Sequence, residues 1–418
     1  MKRTILAALG LATGLAVPAA AEDFKVGMLL PFSGVYASLG NEIEAGFNLG
    51  IEKFGSETDA TFEIVSEDTE VKPPVALGKA KKLILQDKVD VVVGIVSSGV
   101  LGAVRDMVHG AGVPLIVANA GNDEATGVSC SPYITRMSFS NGQVNRPMGK
   151  WMYEQGIRKV YTLAPDYAAG RQMIGGFTET FTAAGGEIVG QEYTPFQKTQ
   201  DFGPYLAQAK SSGADAVFVF YAGGEAISFV KQYDSFGLKA DLPLYGSGFL
   251  TSPLYVNAEG PAAEGVITAL HYAPTIDSPE NAAFVSAFKE KTGRAPSEFA
   301  VHGYDAARAL IEATKAGATD RETLANALRK VKFDGPRGTL SIDPATNNIV
   351  QPIYVYETVA GDGGQTQKVL AKLTPPTAVR WLRFQTDASC PAAYLRPGLS
   401  NKEGLPCHMT LAFGYFKR

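Results

Sequence analysis

The stretch FKVGMLLPFSGVYASLGNEIEAGFNLGIEKFG, residues 24–55, decides the reading of the fold. It opens on a short apolar run, breaks at Pro31, Ser33 and Gly34, and continues from Asn41 to Phe54 as an amphipathic segment of helical length. The same alternation then repeats. FEIVSED (62–68), VDVVVGIV (89–96) and PLIVANA (114–120) read as further strands, with helices over Pro73–Gln86 and Gly99–His109 between them. Short β-branched runs separated by helices predict a parallel sheet covered by helices.

A second series follows, with strands in KVYTLAPD (159–166), EIVGQEYTP (187–195), ADAVFVFYA (214–222) and PLYGSG (243–248). Two successive βα series predict an α/β fold of two doubly wound, Rossmann-like lobes. After GVITALHYA (265–273) come three helices without intervening strands, near Pro279–Lys291, Glu298–Lys315 and Arg321–Val331, then strands in GTLSI, QPIYVYETV and QKVLAKL. Helices that bring no strand must pack on a sheet already built. The chain is therefore expected to cross between lobes three times, near 136–138, 271–273 and 350–352. The expected boundaries are 22–136 plus 272–350 for the first lobe, 137–271 plus 351–376 for the second, and an irregular tail over 377–418.

The whole chain has 418 residues, 45% of them hydrophobic and 19% charged, which excludes a disordered chain and leaves room for two large cores. Residues 1–21 place Lys2 and Arg3 before a 13-residue apolar run, Ile5–Val17, and end on Ala19-Ala20-Ala21. This is the order of a secretory signal cleaved after Ala21, and the run is shorter than the roughly 20 residues of a membrane span. Cleavage takes the formal charge from −4 to −6, a poor balance for binding nucleic acid. Cys130, Cys390 and Cys407 are an odd set without a CxxC pair, consistent with one disulfide in an exported protein, Cys130 joining Cys390 or Cys407.

No nucleophile elbow, zinc-protease motif, phosphate loop or dinucleotide fingerprint is present, and the four histidines show no metal-ligand spacing. No cofactor is expected, and no catalyst is nominated. Glu42, Glu44, Glu63, Glu67 and Asp68 read as solvated faces and strand ends. Small or hydroxyl-bearing residues do stand just past the strand ends, as in Ser33–Tyr36, Ser97–Gly99, Ala120–Asn122, Asp166-Tyr167, Tyr221–Gly224 and Gly246–Gly248. In open α/β sheets ligands bind outside those ends, where helix N-termini favour an anion. Tyr36, Tyr167 and Tyr221 are placed to wall such a crevice with amphipathic rings.

These fragments, with YITRMS, GYDAARALIEA and FDGPRGTLSID, resemble the type I periplasmic solute-binding proteins of the leucine/isoleucine/valine-binding family over about Phe24 to Leu373. The resemblance implies a periplasmic receptor whose lobes close on a small ligand about a three-segment hinge. A permease of an ABC importer in the inner membrane would then be its partner, and a monomer is expected. It carries ligand contacts onto Leu39, Ser97, Ser98, Ala120 and Asn122 in the first lobe and onto Tyr167 and Tyr221 in the second. Arg136 matches an arginine beside the first hinge segment. Amino-acid binders of the family place a glutamate where this chain has Gly248, followed by Phe249, so an aromatic carboxylate is preferred to an amino acid unless Asp166 or Glu225 replaces that charge. Branched-chain amino-acid binding and a sensory receptor are the alternatives.

Overall fold

The opening stretch becomes strand β1 (Asp23–Leu30) and helix α1 (Ala37–Phe54) in the computed structural model, which describes residues 23–373. The alternation then runs β2 (Thr61–Asp68), α2 (Pro73–Lys81), β3 (Val91–Gly94), α3 (Ser98–Ala111), β4 (Leu115–Val117) and β5 (Ile134–Arg136). Local chemistry sets the ends: α2 begins on two prolines, and α3 stops at Gly112, whose φ of 61° is the left-handed cap glycine tolerates.

The second series is α4 (Asn141–Glu154), β6 (Lys159–Pro165), α5 (Ala168–Ala183), β7 (Glu187–Thr194), α6 (Gly203–Ser211), β8 (Ala216–Val219), α7 (Gly224–Ser235), β9 (Leu244–Ser247), α8 (Val256–Glu259) and β10 (Ile267–Leu270). Three helices follow, α9 (Pro279–Thr292), α10 (Glu298–Lys315) and α11 (Arg321–Leu328), then β11 (Lys332–Gly335), β12 (Gly338–Ile342), β13 (Ile349–Val350), β14 (Ile353–Gly361) and β15 (Gly364–Leu373).

The strands form two large sheets. One is five-stranded and parallel in the order β2-β1-β3-β4-β5, and the other is seven-stranded in the order β15-β14-β10-β9-β8-β6-β7, with β14 and β15 antiparallel at one edge. The two-lobe α/β architecture expected from the sequence is the one observed. A third, antiparallel sheet, β11-β12-β13, had not been anticipated as a separate unit.

The chain passes between the large sheets after β5, after β10 and between β13 and β14. Arg337, fully buried, ties the first of these crossings to the third. Its Nε donates to Asp305 on α10 (2.7 Å), and its Nη atoms donate to the carbonyls of Met137 (2.7 Å) and Ser138 (3.0 Å) and to Gln351 Oε1. Arg136 is buried beside them and donates to the backbone carbonyls of Gly121 and Asn122 and to Asn348 Oδ1.

Helices α1 and α10 lie so close that a methyl group on Gly303 would sit 1.9 Å from the carbonyl oxygen of Ile43, and one on Gly46 would sit 1.9 Å from that of Ala300. One expectation fails here. Glu42 is not on a solvated face but buried between these helices, because Arg294 (2.8 Å) and the Ser297 hydroxyl (2.9 Å) donate to its carboxylate. Cys130 is disulfide-bonded, while Cys390, Cys407, the signal segment and the tail from 377 lie outside the described residues.

Candidate functional site

The carboxyl ends of the parallel strands from both sheets meet at one tight cavity of about 20 Å3, far below the roughly 300–1,000 Å3 of small-molecule sites, so a solute is admitted only as the wall parts. Its wall is made by the residues that leave β1 (Tyr36, Leu39), β3 (Val96, Ser98), β4 (Asn119, Gly121), β6 (Tyr167, Ala169), β8 (Phe220, Ala222) and β9 (Phe249). Phe139 and Asn141 from the first crossing, Met173 on α5 and Phe299 on α10 complete it.

Phe249 is central to the apolar part, with its ring centroid 5.0 Å from Phe139, 5.7 Å from Phe299 and 6.1 Å from Phe220. The polar part contains no charged side chain among the lining residues. It offers the Ser98 hydroxyl, two asparagine amides and the hydroxyls of Tyr36 and Tyr167, which lie 3.3 Å apart across the cleft. Burial pushes both phenols well above their ordinary pKa, so they remain neutral donors. Helices α1, α3, α4 and α5 each contribute residues of their first turn to the cavity wall, an arrangement that favours an anion without a cation.

Of the residues singled out in the sequence, Tyr36, Leu39, Ser98, Tyr167 and Phe249 line this cavity. Ser97 instead faces an outer groove of about 480 Å3 that also touches Tyr167 and Phe196. Ala120, Asn122 and Tyr221 face away, for one shared reason. Extended chain alternates its side chains, so where 119, 121, 220 and 222 point into the cavity the residues between and beyond them point out. Ala120 packs in the hydrophobic cluster on the far side of the first sheet. Asn122 braces its own loop, donating to the Ser98 carbonyl (3.2 Å) and accepting from the Glu124 N–H (2.9 Å). Tyr221 stacks on Phe229 at 4.7 Å, with its hydroxyl 3.2 Å from that of Thr194.

Gly248 is dictated by packing rather than by an omitted charge. A Cβ there would lie 2.1 Å from the Tyr356 hydroxyl and 2.5 Å from Leu270 Cβ, so a side chain at 248 would not enter the cavity. Asp166 is exposed and paired with Arg171 at 2.6 Å. Glu225 is buried, accepts the Gln197 N–H at 3.0 Å, and is pushed up to about 7 by burial. It lies outside the cavity wall but close enough to raise Tyr36, Tyr167 and Tyr221 electrostatically.

His271 and His302, 31 positions apart and without ligand spacing, meet in the fold. Their Nε2 atoms share a hydrogen bond behind Phe139, whose ring stacks on both at 5.5 and 5.7 Å. Burial holds both far below the usual histidine range, so the pair is neutral and shapes the cavity floor. Among the described residues no cluster has metal-ligand geometry, and no helix is long and apolar enough to cross a membrane.

Known proteins share this architecture. The Leu/Ile/Val-binding protein homolog 6 of Brucella melitensis is 34% identical over 373 residues, covering 87% of this chain and 95% of its own. The solute-binding protein of an ABC transporter from R. palustris, solved in complex with benzoate, superposes with a TM-score of 0.81 at 37% identity, over 88% of this chain and 99% of its own. A second, from Rhodopseudomonas palustris BisB5 in complex with 3,4-dihydroxybenzoic acid, gives 0.81 at 36% identity, over 86% and 99%. Residues 23–365 match the sequence profile of the periplasmic binding proteins, and with these likenesses in sequence and fold the chain belongs to that family.

Proposed function

We propose that this protein captures a small aromatic carboxylate between its two lobes and delivers it to the permease of an ABC importer. The observation that carries the reading is the uncharged, phenylalanine-walled cavity on which the N-termini of α1, α3, α4 and α5 converge. The helix termini, with the Ser98 hydroxyl, suit a carboxylate, and the faces of Phe249, Phe139 and Phe299 suit a ring. An α-amino acid would bury an ammonium against a wall that carries no acid, at a cost of several kcal/mol. The benzoate and dihydroxybenzoate complexes of the R. palustris relatives favour the same class of ligand.

On this reading the protein binds its solute rather than transforms it. The segment 1–21 directs it to the periplasm, and the lobe boundaries fall near 136, 271 and 351, where the chain changes sheet. A second reading, as an amino-acid binder, has support in Glu225, which is buried near the tyrosines with no donor to its Oε2 among the described residues.

A thermal-shift panel separates the two. A ligand at a hundredfold excess over its Kd stabilises by about 2.7 kcal/mol, a shift of a few degrees for a chain of this size. Benzoate or hydroxybenzoates are expected to give that shift, and leucine, isoleucine and valine none; the reverse pattern would favour the amino-acid reading instead.

A further inference from the structure

Two amide groups in the cavity have their orientation fixed by their partners. Asn119 Nδ2 donates to the Val96 carbonyl at 3.1 Å, which can only accept, so Asn119 Oδ1 is left over. Asn141 Nδ2 donates to Ser98 Oγ at 3.1 Å and to Gln172 Oε1 at 2.7 Å. That Gln172 atom also accepts the Asp123 N–H at 3.0 Å, which identifies it as the oxygen and so leaves Asn141 Oδ1 over as well.

Both asparagines line the cavity, one from the first sheet and one from the first turn of α4, and they are 6% and 0% exposed. No donor among the described residues reaches either oxygen. A buried acceptor without a donor is costly, and the cost is recovered when a ligand supplies one. The wall is thus divided. Ser98 Oγ, already accepting from Asn141, keeps its own proton for a ligand carboxylate, while Asn119 and Asn141 present acceptors that a carboxylate cannot satisfy.

We infer that the ligand is a ring-hydroxylated aromatic acid rather than an unsubstituted one, and that Asn119 and Asn141 are the residues that select it; this rests on the aromatic-carboxylate reading above. A ring hydroxyl donates to these oxygens, whereas a bare ring leaves them unpaired. Sites built to bond a hydroxyl discriminate strongly against analogues that lack it.

The test is isothermal titration of the mature protein with benzoate, 3-hydroxybenzoate, 4-hydroxybenzoate and 3,4-dihydroxybenzoate. At least one hydroxylated acid is expected to bind about tenfold or more tightly than benzoate. Asn119→Leu and Asn141→Leu, checked for folding by circular dichroism, should each narrow that ratio by weakening the hydroxylated acid more than benzoate. If a variant does not fold, the wild-type ratio still decides. Benzoate binding as tightly as every hydroxylated acid would overturn the inference and leave the aromatic reading standing. Failure of all four acids would overturn both.

Discussion

Glu298, the first residue of α10, accepts a hydrogen bond from the Ser252 hydroxyl at 2.8 Å, a contact that reaches from the first lobe to the second. Burial pushes its carboxyl up to about 8, so at neutral pH it is protonated in the folded protein. Below its ordinary value of 4.5 the group is protonated whether or not the chain is folded. As pH rises from there to about 8, only the unfolded chain loses the proton, so stability falls across that window and levels off above it. Glu298→Gln keeps the shape and abolishes the ionisation. Its melting temperature is expected to decline less between pH 5 and 8 than that of the wild type, and to exceed it near pH 8. A parallel pair of curves would dismiss the assignment. Glu259 and Glu225, pushed up to about 9 and about 7 by burial, have the same sign and contribute to the slope that remains. At this scale the sequence was legible to within one residue. It indicated the loops past β3, β4 and β8, yet Asn119, Gly121 and Phe220 face the cavity where Ala120, Asn122 and Tyr221 had been expected. A shift of one position in extended chain reverses inside and outside, and nothing in the local composition fixes that parity.

Helix α10 shows what a sequence reveals most readily about an element. Glu298–Lys315 was read with the bounds it has, because Ser297 caps it through the N–H groups of Phe299 and Ala300 and its length gives the helical period room to appear. Strands β5 and β13, of three and two residues, are too short to carry any period, and the small sheet that β13 completes was missed with them. What the period does not disclose is how closely α10 packs on α1. With no side chain at Gly303, the backbone of α1 can approach, and Gly303→Ala would place a methyl group against the Ile43 carbonyl, an atom that cannot rotate away. That variant is expected to lose about 1–3 kcal/mol, read as a lower urea midpoint with an unchanged slope. An unchanged midpoint would mean that the two helices separate at no cost.

In the whole molecule, contacts across the cleft hold the lobes together, with Tyr36 against Tyr167, Ser98 against Asn141 and Ser252 against Glu298. These contacts are polar, while Phe249 packs on Phe299 of α10 with ring centroids 5.7 Å apart, so parting the lobes exposes polar groups that water can satisfy together with aromatic faces that a ligand ring would cover. Small-angle scattering is expected to give a smaller radius of gyration when 4-hydroxybenzoate saturates the protein, and an equal radius would count against domain closure. The three crossings are far apart in sequence, and Arg337, which ties the first to the third, carried no mark beyond its place in a motif. Its partners are the carbonyls of Met137 and Ser138, the amide of Gln351 and the carboxylate of Asp305, and none of these belongs to the cavity wall. Cargo and mechanics are therefore written in separate residues, so a lineage or an engineer can exchange the wall at Asn119, Phe220 or Phe249 for a new taste while the gait of the molecule is inherited unchanged. Phe139 and Asn141, just beyond the first crossing, are where the two vocabularies touch, and a substitution there is the one that would alter both at once.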